Sequence, residues 1–391
     1  MRRLHQSPTD PAFVQDPYPF YDRARTAGDI VFWEDYALPV AVSHAAVNAI
    51  LKDRRLGREP TGPVEVPDHL APFYAVEAHS MLELEPPRHT RLRSLVLRAF
   101  TSRRIKAMAP EMVTLCEGLA DGFPDGPFDL MPAYAQRIPV VVIARLLGVP
   151  EGMSDQLLAW SNAMVAMYQA RRTREIECAA AQAASEFAAF MRSYVEDRRA
   201  RPADDLITNL IAAEEAGEKL TTDELITTCI LLLNAGHEAT VHAIGNGVKA
   251  LLDHGTSPEA LAPDAIEATV EEILRFDPPL HMFTRHVYED MDLFGHPFRR
   301  GDQVGCLLGA ANRDPDVWAD PHRFEPARPI LTNAAFGAGL HFCVGAPLAR
   351  LEMQTALPVL FRRHPGLRLA EPPRYANLYH FHGLERLIVE T

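Results

Sequence analysis

Apolar residues recur at helical spacing through most of the chain from Pro87 onward. Residues 88–100, 102–121, 132–147, 153–169, 174–200, 203–216, 221–253 and 264–275 each carry an apolar stripe and are predicted as helices. Thr221-Thr222-Asp223-Glu224 reads as a helix start with acids in its first turn. Residues 30–42 read as two short strands turned around 34–37, and 44–51 as a short helix opened by Ser43. The proline-rich stretch 57–82 lacks a period and is predicted as a long loop. After Phe276-Asp277-Pro278-Pro279 the pattern changes: 281–308 alternates β-type runs with glycine turns, and 311–335 is a proline-punctuated loop. A last helix is predicted over 344–364, with short strands from Leu367. The expected fold is mainly α with a small β region. No repeat or linker interrupts it, so residues 1–391 are expected to form a single domain.

Composition narrows the function. Of 391 residues, 47% are hydrophobic and 23% charged, enough for a large packed core. The net charge of −13 argues against a general nucleic-acid surface. The longest apolar runs, such as 138–144 and 230–233, are far too short to cross a membrane, and the polar start of the chain offers no export signal. Five cysteines, at 116, 178, 229, 306 and 343, are scattered singly with no paired spacing, which points to free thiols in a reducing cytoplasm.

Cys343 has a setting of its own. It sits in Phe336-Gly337-Ala338-Gly339-Leu340-His341-Phe342-Cys343-Val344-Gly345-Ala346-Pro347-Leu348-Ala349-Arg350. The glycines permit a tight turn, and Cys343 falls where the next helix begins. The positive helix end there favours a thiolate, and Gly345 leaves room for a flat ligand against the backbone. Such a thiolate suits a soft metal centre, with haem iron the leading candidate. A lone cysteine beside a glycine turn is, by itself, as readily a buried structural residue.

The whole segment decides between these. It resembles the cysteine-ligand loop of the cytochrome P-450 superfamily, Phe-x-x-Gly-x-x-x-Cys-x-Gly, with matches at Phe336, Gly339, Cys343 and Gly345. The resemblance implies a soluble bacterial haem-thiolate enzyme with the family's triangular helical prism around a buried haem b (iron protoporphyrin IX). Cys343 would be the metal ligand, and Phe336, Gly337 and Gly345 would line the haem. Other motifs follow in the family's order. Glu272 and Arg275, alone, would be an ordinary i,i+3 pair. About seventy residues before the cysteine they resemble the family's Glu-x-x-Arg, with Arg323 of Pro321-His322-Arg323-Phe324 as expected third member of a structural network. His89 and Arg93 share a helix face that could equally be a solvated basic face. By resemblance they bind haem propionates together with Arg285 and His341.

The long helix carries Leu231-Leu232-Leu233-Asn234-Ala235-Gly236-His237-Glu238-Ala239-Thr240. Its apolar middle marks it as buried, and its polar residues could be no more than packing features. It resembles the family's oxygen-binding helix, in which Ala235 and Gly236 border the haem and Glu238 relays protons to dioxygen. The sequence departs from the family at the alcohol position. Ala239 stands there, and Thr240 follows one residue, or about 100°, further round the helix. A substrate hydroxyl or a water is expected to complete the path, as in some macrolide-hydroxylating members.

The implied reaction is insertion of one atom of O2 into a small organic substrate, with electrons from a ferredoxin and its reductase. Substrate-pocket candidates by family position are Leu233, Asn234, Ala235, Met282, Phe283 and Phe381. Residues 88–106 hold seven Arg or Lys and no acid, a basic patch expected to receive an acidic ferredoxin through Arg91, Arg98, Arg103, Arg104 and Lys106. Two alternatives stand beside this reading: a peroxide-using or otherwise non-monooxygenase haem-thiolate enzyme, motivated by Ala239, and a non-catalytic haem or ligand-binding protein.

Overall fold

The computed structural model describes residues 1–169, 172–213 and 220–391. The predicted helix 203–216 appears as Leu206–Ala213, and its last residues lie outside the described ones. The chain divides into two compact units, each assembled from separated segments: 1–62, 111–135 and 239–391 in the first, 63–110 and 136–238 in the second.

The first unit holds the six-stranded sheet. Its strands lie side by side in the order Arg3–Leu4, Ile30–Trp33, Leu38–Ala41, Gln303–Leu307, Met282–Val287 and Leu56–Gly57. The two predicted strands at 30–42 pair antiparallel, and Val40 lies opposite Gly305 in a parallel pair with the later strand. A Cβ at Gly305 would stand 2.9 Å from Val40, so this register needs glycine. One face of the sheet packs Phe13, Tyr18, Phe20, Tyr21, Trp33 and Met282 together. Pro11–Gln15 and Tyr18–Ala27 supply most of these rings as two helices the sequence pattern did not show. Met282 is therefore core, 3% exposed, and not the pocket residue expected. Strand alternation turns its neighbour Phe283 to the other face.

The helix Ile266–Phe276 anchors this unit. Glu272 and Arg275 form a two-pronged ion pair, Nε to Oε2 at 2.7 Å and Nη2 to Oε1 at 2.8 Å, with both side chains almost fully buried. Arg275 also donates to the carbonyls of Asn312, Pro321 and Arg323. The third member of the network at Glu272 is Arg328 and not the expected Arg323. Arg323 is exposed and gives only its carbonyl, while Arg328 reaches Glu272 at 3.2 Å. The reason is local: Arg323 caps the turn that begins at Asp320, and the chain returns five residues later with Arg328 facing inward.

The second unit is helical. Arg174–Ala200 packs on Ser154–Val165 and on Ala71–Glu77, a helix inside the stretch expected to be loop. The expected helix 102–121 breaks into Ser102–Ala107 and Ala109–Asp121. The long helix spans Thr222–Asp253, 32 residues or about 48 Å. Its start is a reciprocal cap: Thr221 Oγ1 accepts from Glu224 N at 3.2 Å and Glu224 Oε2 from Thr221 N at 2.9 Å. The helix passes from the second unit to the first after Glu238.

Removing Glu272 would leave the buried Arg275 guanidinium without its carboxylate. Glu272→Ala is expected to lower stability by about 3–5 kcal/mol, read as the urea midpoint of unfolding. An unchanged midpoint would show that the pair carries no such weight.

Candidate functional site

The cysteine loop is held at both ends. Ala334 N donates to Asn312 Oδ1 at 2.6 Å, and Ala335 N to Asn333 Oδ1 at 3.0 Å. Gly337 and Gly339 take positive φ, 67° and 70°, and a Cβ at Gly339 would run into the Leu51 carbonyl. Cys343 N then closes the loop onto Phe336 O at 3.0 Å. The helix Ala346–Arg363 follows, capped at Gly345. Cys343 is half-buried, beside the donor end of that helix. Burial pushes the thiols of Cys116, Cys229 and Cys306 up to about 12, which keeps them as S–H groups, and Cys178 is exposed on the 174–200 helix. Only Cys343 combines partial access with a helix start.

A second carboxylate supports this loop. Glu271, next to Glu272, accepts from Arg350 Nη2 and from Asn333 Nδ2, both at 3.2 Å, with a further short contact from Arg350 Nε. The Arg350 guanidinium lies 4.6 Å over the Phe336 ring. Glu271, Asn333 and Arg350 were missed in the sequence. Arg350 sits at the end of the recognised segment, but nothing in its spacing names its partner.

Of the four expected propionate ligands, Arg285 and His341 belong to the same unit as Cys343. Arg285 is 2% exposed on the Met282–Val287 strand, with Nη1 donating to Thr284 O at 2.8 Å, and His341 is half-buried. Phe336 is half-buried, and Phe283 lies against Gly337, where a Cβ would meet its ring at 3.3 Å. A half-exposed thiol at a helix start, glycines that keep the backbone low and a buried guanidinium together fit a flat, anionic, thiolate-ligated group. In the second unit His89 is buried and Arg93 half-buried, one turn apart on Arg88–Ala99.

On the long helix, Leu233 and Asn234 are buried, and Asn234 Nδ2 lies 3.6 Å from Met164 Sδ. Ala235 is exposed although it lies mid-helix, and Gly236, Glu238 and Ala239 are partly exposed. This face of an otherwise buried helix is accessible. Thr240 is 4% exposed, so one residue of rotation does turn its hydroxyl into the protein. Phe381 is half-buried and bridges to Leu280.

Comparisons with known proteins agree with this geometry. Residues 265–365 match the family model for cytochrome P-450. The chain is 37% identical to cytochrome P-450 monooxygenase PikC of Streptomyces venezuelae, over 92% of this chain and 87% of the relative. It is 38% identical to 6-deoxyerythronolide B hydroxylase of Saccharopolyspora erythraea, over 82% of this chain and 81% of that protein. Among solved structures, P450BioI in complex with an acyl carrier protein bearing hexadec-9Z-enoic acid superposes with a TM-score of 0.92 at 34% identity, covering 97% of this chain and 99% of that one.

The chain belongs to the cytochrome P-450 family.

It is accordingly a P-450 monooxygenase with the P-450 fold, and it binds haem b through a cysteine thiolate. No described helix is long and apolar enough to cross a membrane.

This P-450 also carries a buried polar cluster absent from the sequence reading. Among the described residues, Asp277, His281 and His382 bring candidate metal-ligand atoms within 4.8 Å of one another. Their geometry favours a hydrogen-bonded anion instead. The Asp277 carboxylate accepts from Tyr18 OH and His382 Nδ1, each at 3.0 Å, and from Tyr375 OH. The two imidazole rings lie 4.5 Å apart, tilted by 38°. His281 Nδ1 is also taken, by Tyr21 OH at 2.8 Å. Burial alone would raise the Asp277 pKa. The His382 and His281 imidazoles and the Tyr375 hydroxyl nevertheless hold it well below the usual carboxylate range.

A carboxyl depressed in the folded state stabilises fully above its unfolded pKa, about 3.9, and that contribution is lost as pH falls below it. Asp277→Asn is expected to cost about 1–3 kcal/mol at neutral pH and to flatten the loss of stability on acidification. Thermal melts from neutral pH downward check this. Parallel curves for variant and wild type would contradict it.

Proposed function

We propose that this P-450 is a ferredoxin-dependent monooxygenase whose iron ligand is Cys343, with residues 1–391 working as one catalytic domain. The observation that carries the reading is the Cys343 thiol itself: half-exposed at a helix start, in a loop closed onto Phe336, while three other thiols are buried and protonated. When bound, the haem supplies reductive activation of O2 and insertion of one oxygen atom into the substrate. Arg285, His341, His89 and Arg93 would hold the propionates by charge-assisted hydrogen bonds. Ala235 and Gly236 keep the accessible helix face small. Glu238 holds the proton to be delivered. With Ala239 lacking a hydroxyl and Thr240 turned inward, a water or a substrate hydroxyl would complete the proton path from Glu238. Leu233, Asn234, Ala235, Phe283 and Phe381 remain the residues proposed for substrate. Relatives named for 6-deoxyerythronolide B and for a carrier-bound fatty acid favour a lipophilic substrate. The free, dispersed cysteines favour the cytoplasm.

The basic patch needs revision as a ferredoxin surface. Arg91 pairs with Glu224, and Arg104 donates to the Asp204 carbonyl at 2.8 Å and reaches its carboxylate at 3.5 Å, so neither points freely outward. Arg98, Arg103 and Lys106 are exposed and are the cations proposed to meet an acidic partner. A peroxide-using enzyme is the second reading, favoured by Ala239. Product formed in step with NADH through a ferredoxin would decide for the first.

Cys343→Ala is expected to abolish the reduced-CO absorbance band of a haem thiolate and all monooxygenase turnover, while Cys116, Cys178, Cys229 and Cys306 changed to Ser retain the band. A Cys343→Ala protein that keeps it would refute the ligand. Stopped-flow reduction by ferredoxin is expected to slow about tenfold or more from low to high salt, and to slow at low salt when Arg98 and Arg103 become Glu. A rate flat in salt and indifferent to both changes would place the partner elsewhere.

A further inference from the structure

His237 stands between Gly236 and Glu238 on the long helix. It is 2% exposed, and both ring nitrogens are engaged. Nδ1 lies 3.3 Å from the Leu233 carbonyl oxygen and 3.2 Å from the Ser161 hydroxyl. Nε2 lies 3.2 Å from Asn162 Oδ1 and 3.4 Å from Glu238 Oε2. All of these residues belong to the second unit. Consecutive helix residues diverge by about 100° and do not ordinarily face each other. Here the imidazole is turned back onto its neighbour, with Ser161 and Asn162 of the Ser154–Val165 helix setting its tilt.

The partners fix where protons sit. Asn162 Oδ1 and the Glu238 carboxylate both accept, so Nε2 carries a hydrogen that lies between them, while Nδ1 takes the Ser161 hydroxyl hydrogen or, in the imidazolium, donates to the Leu233 carbonyl. A bare lone pair at Nε2 would face both of those oxygens, an unfavourable contact for a side chain this buried. We infer that His237 is a positioning residue that keeps Glu238 turned toward it with one shared proton, through an imidazole oriented by Ser161 and Asn162. The inference rests on the proposed role of Glu238 as proton donor. It adds that the donor is loaded and aimed by a histidine with no contact to substrate required.

The test uses the holoprotein and four variants: His237→Phe, His237→Gln, Asn162→Ala and Glu238→Gln. Gln retains an amide donor near Nε2, and Asn162 is exposed, so these two changes leave packing largely intact. Infrared difference spectra of the ferric protein, without turnover, identify the Glu238 carboxyl signal by its loss in Glu238→Gln. That signal is expected to shift in His237→Phe and Asn162→Ala and to stay close to wild type in His237→Gln. Peroxide released per NADH is expected to rise about three- to tenfold in His237→Phe and under about twofold in His237→Gln, with substrate affinity by spin shift unchanged within about twofold. Gln rescue separates positioning from mere packing. A Glu238 signal unmoved by His237→Phe, or by Asn162→Ala should the Phe variant not fold, overturns the inference. If Glu238→Gln impairs coupling in that case, the role of Glu238 itself still stands. Wild-type coupling in Glu238→Gln removes that role, and the infrared shift then decides the contact alone.

Discussion

The ion pair between Glu272 and Arg275 is the fixed point on which the cysteine end of this protein depends. The segment from Asn312 to Phe336 is rich in proline and has almost no regular backbone pairing, so it cannot hold its own shape. The buried guanidinium of Arg275 takes up three of its carbonyls, and Glu272 takes the Glu325 amide at 2.8 Å. Asn312, tied by Nδ2 to the Leu274 carbonyl, in turn fixes Ala334. One residue earlier on the same helix, Glu271 grips Asn333 and Arg350, on either side of Cys343. Two adjacent carboxylates thus brace a glycine loop from both ends. Two bare charges would be costly at this depth; they persist because each is multiply hydrogen-bonded.

The same rule recurs at Asp277, just past the end of that helix. Asp277 is held by two tyrosine hydroxyls and an imidazole, which join the N-terminal helix Tyr18–Ala27 to the C-terminal segment around Tyr375 and His382. Arg313 adds a cation nearby, 3.3 Å over the Tyr18 ring. On the long helix Glu238 lies 3.4 Å from His237 Nε2, and Ala239 follows it without a hydroxyl.

Long periodic helices were legible from sequence because one apolar face recurs for many turns: Arg174–Ala200 and Thr222–Asp253 fall within a residue of expectation. The strands at 30–42 and the Ser43 cap were equally plain, Ser43 Oγ accepting from Ala46 at 3.2 Å. Failures have local causes. Pro17-Tyr18-Pro19 and the short Pro11–Gln15 turn mask two N-terminal helices, since proline at a first turn is read as a breaker although it is tolerated there. The break at Met108 leaves no mark in the apolar pattern. Strand parity, which decides that Met282 is core and Phe283 is not, needs the sheet's neighbours. Arg328 for Arg323, and the Asp277 cluster, join residues far apart in sequence, a relation that no local spacing encodes.

Iron-edge X-ray absorption on the purified ferric holoprotein tests the centre of this picture most directly, because it reports the iron's own neighbours. A sulfur scatterer on iron in the wild type, retained when Cys178 is replaced and lost in Cys343→Ser, is the expected result. A sulfur neighbour that survives in Cys343→Ser, or its absence from the wild type, would contradict the assignment of Cys343 as the haem ligand.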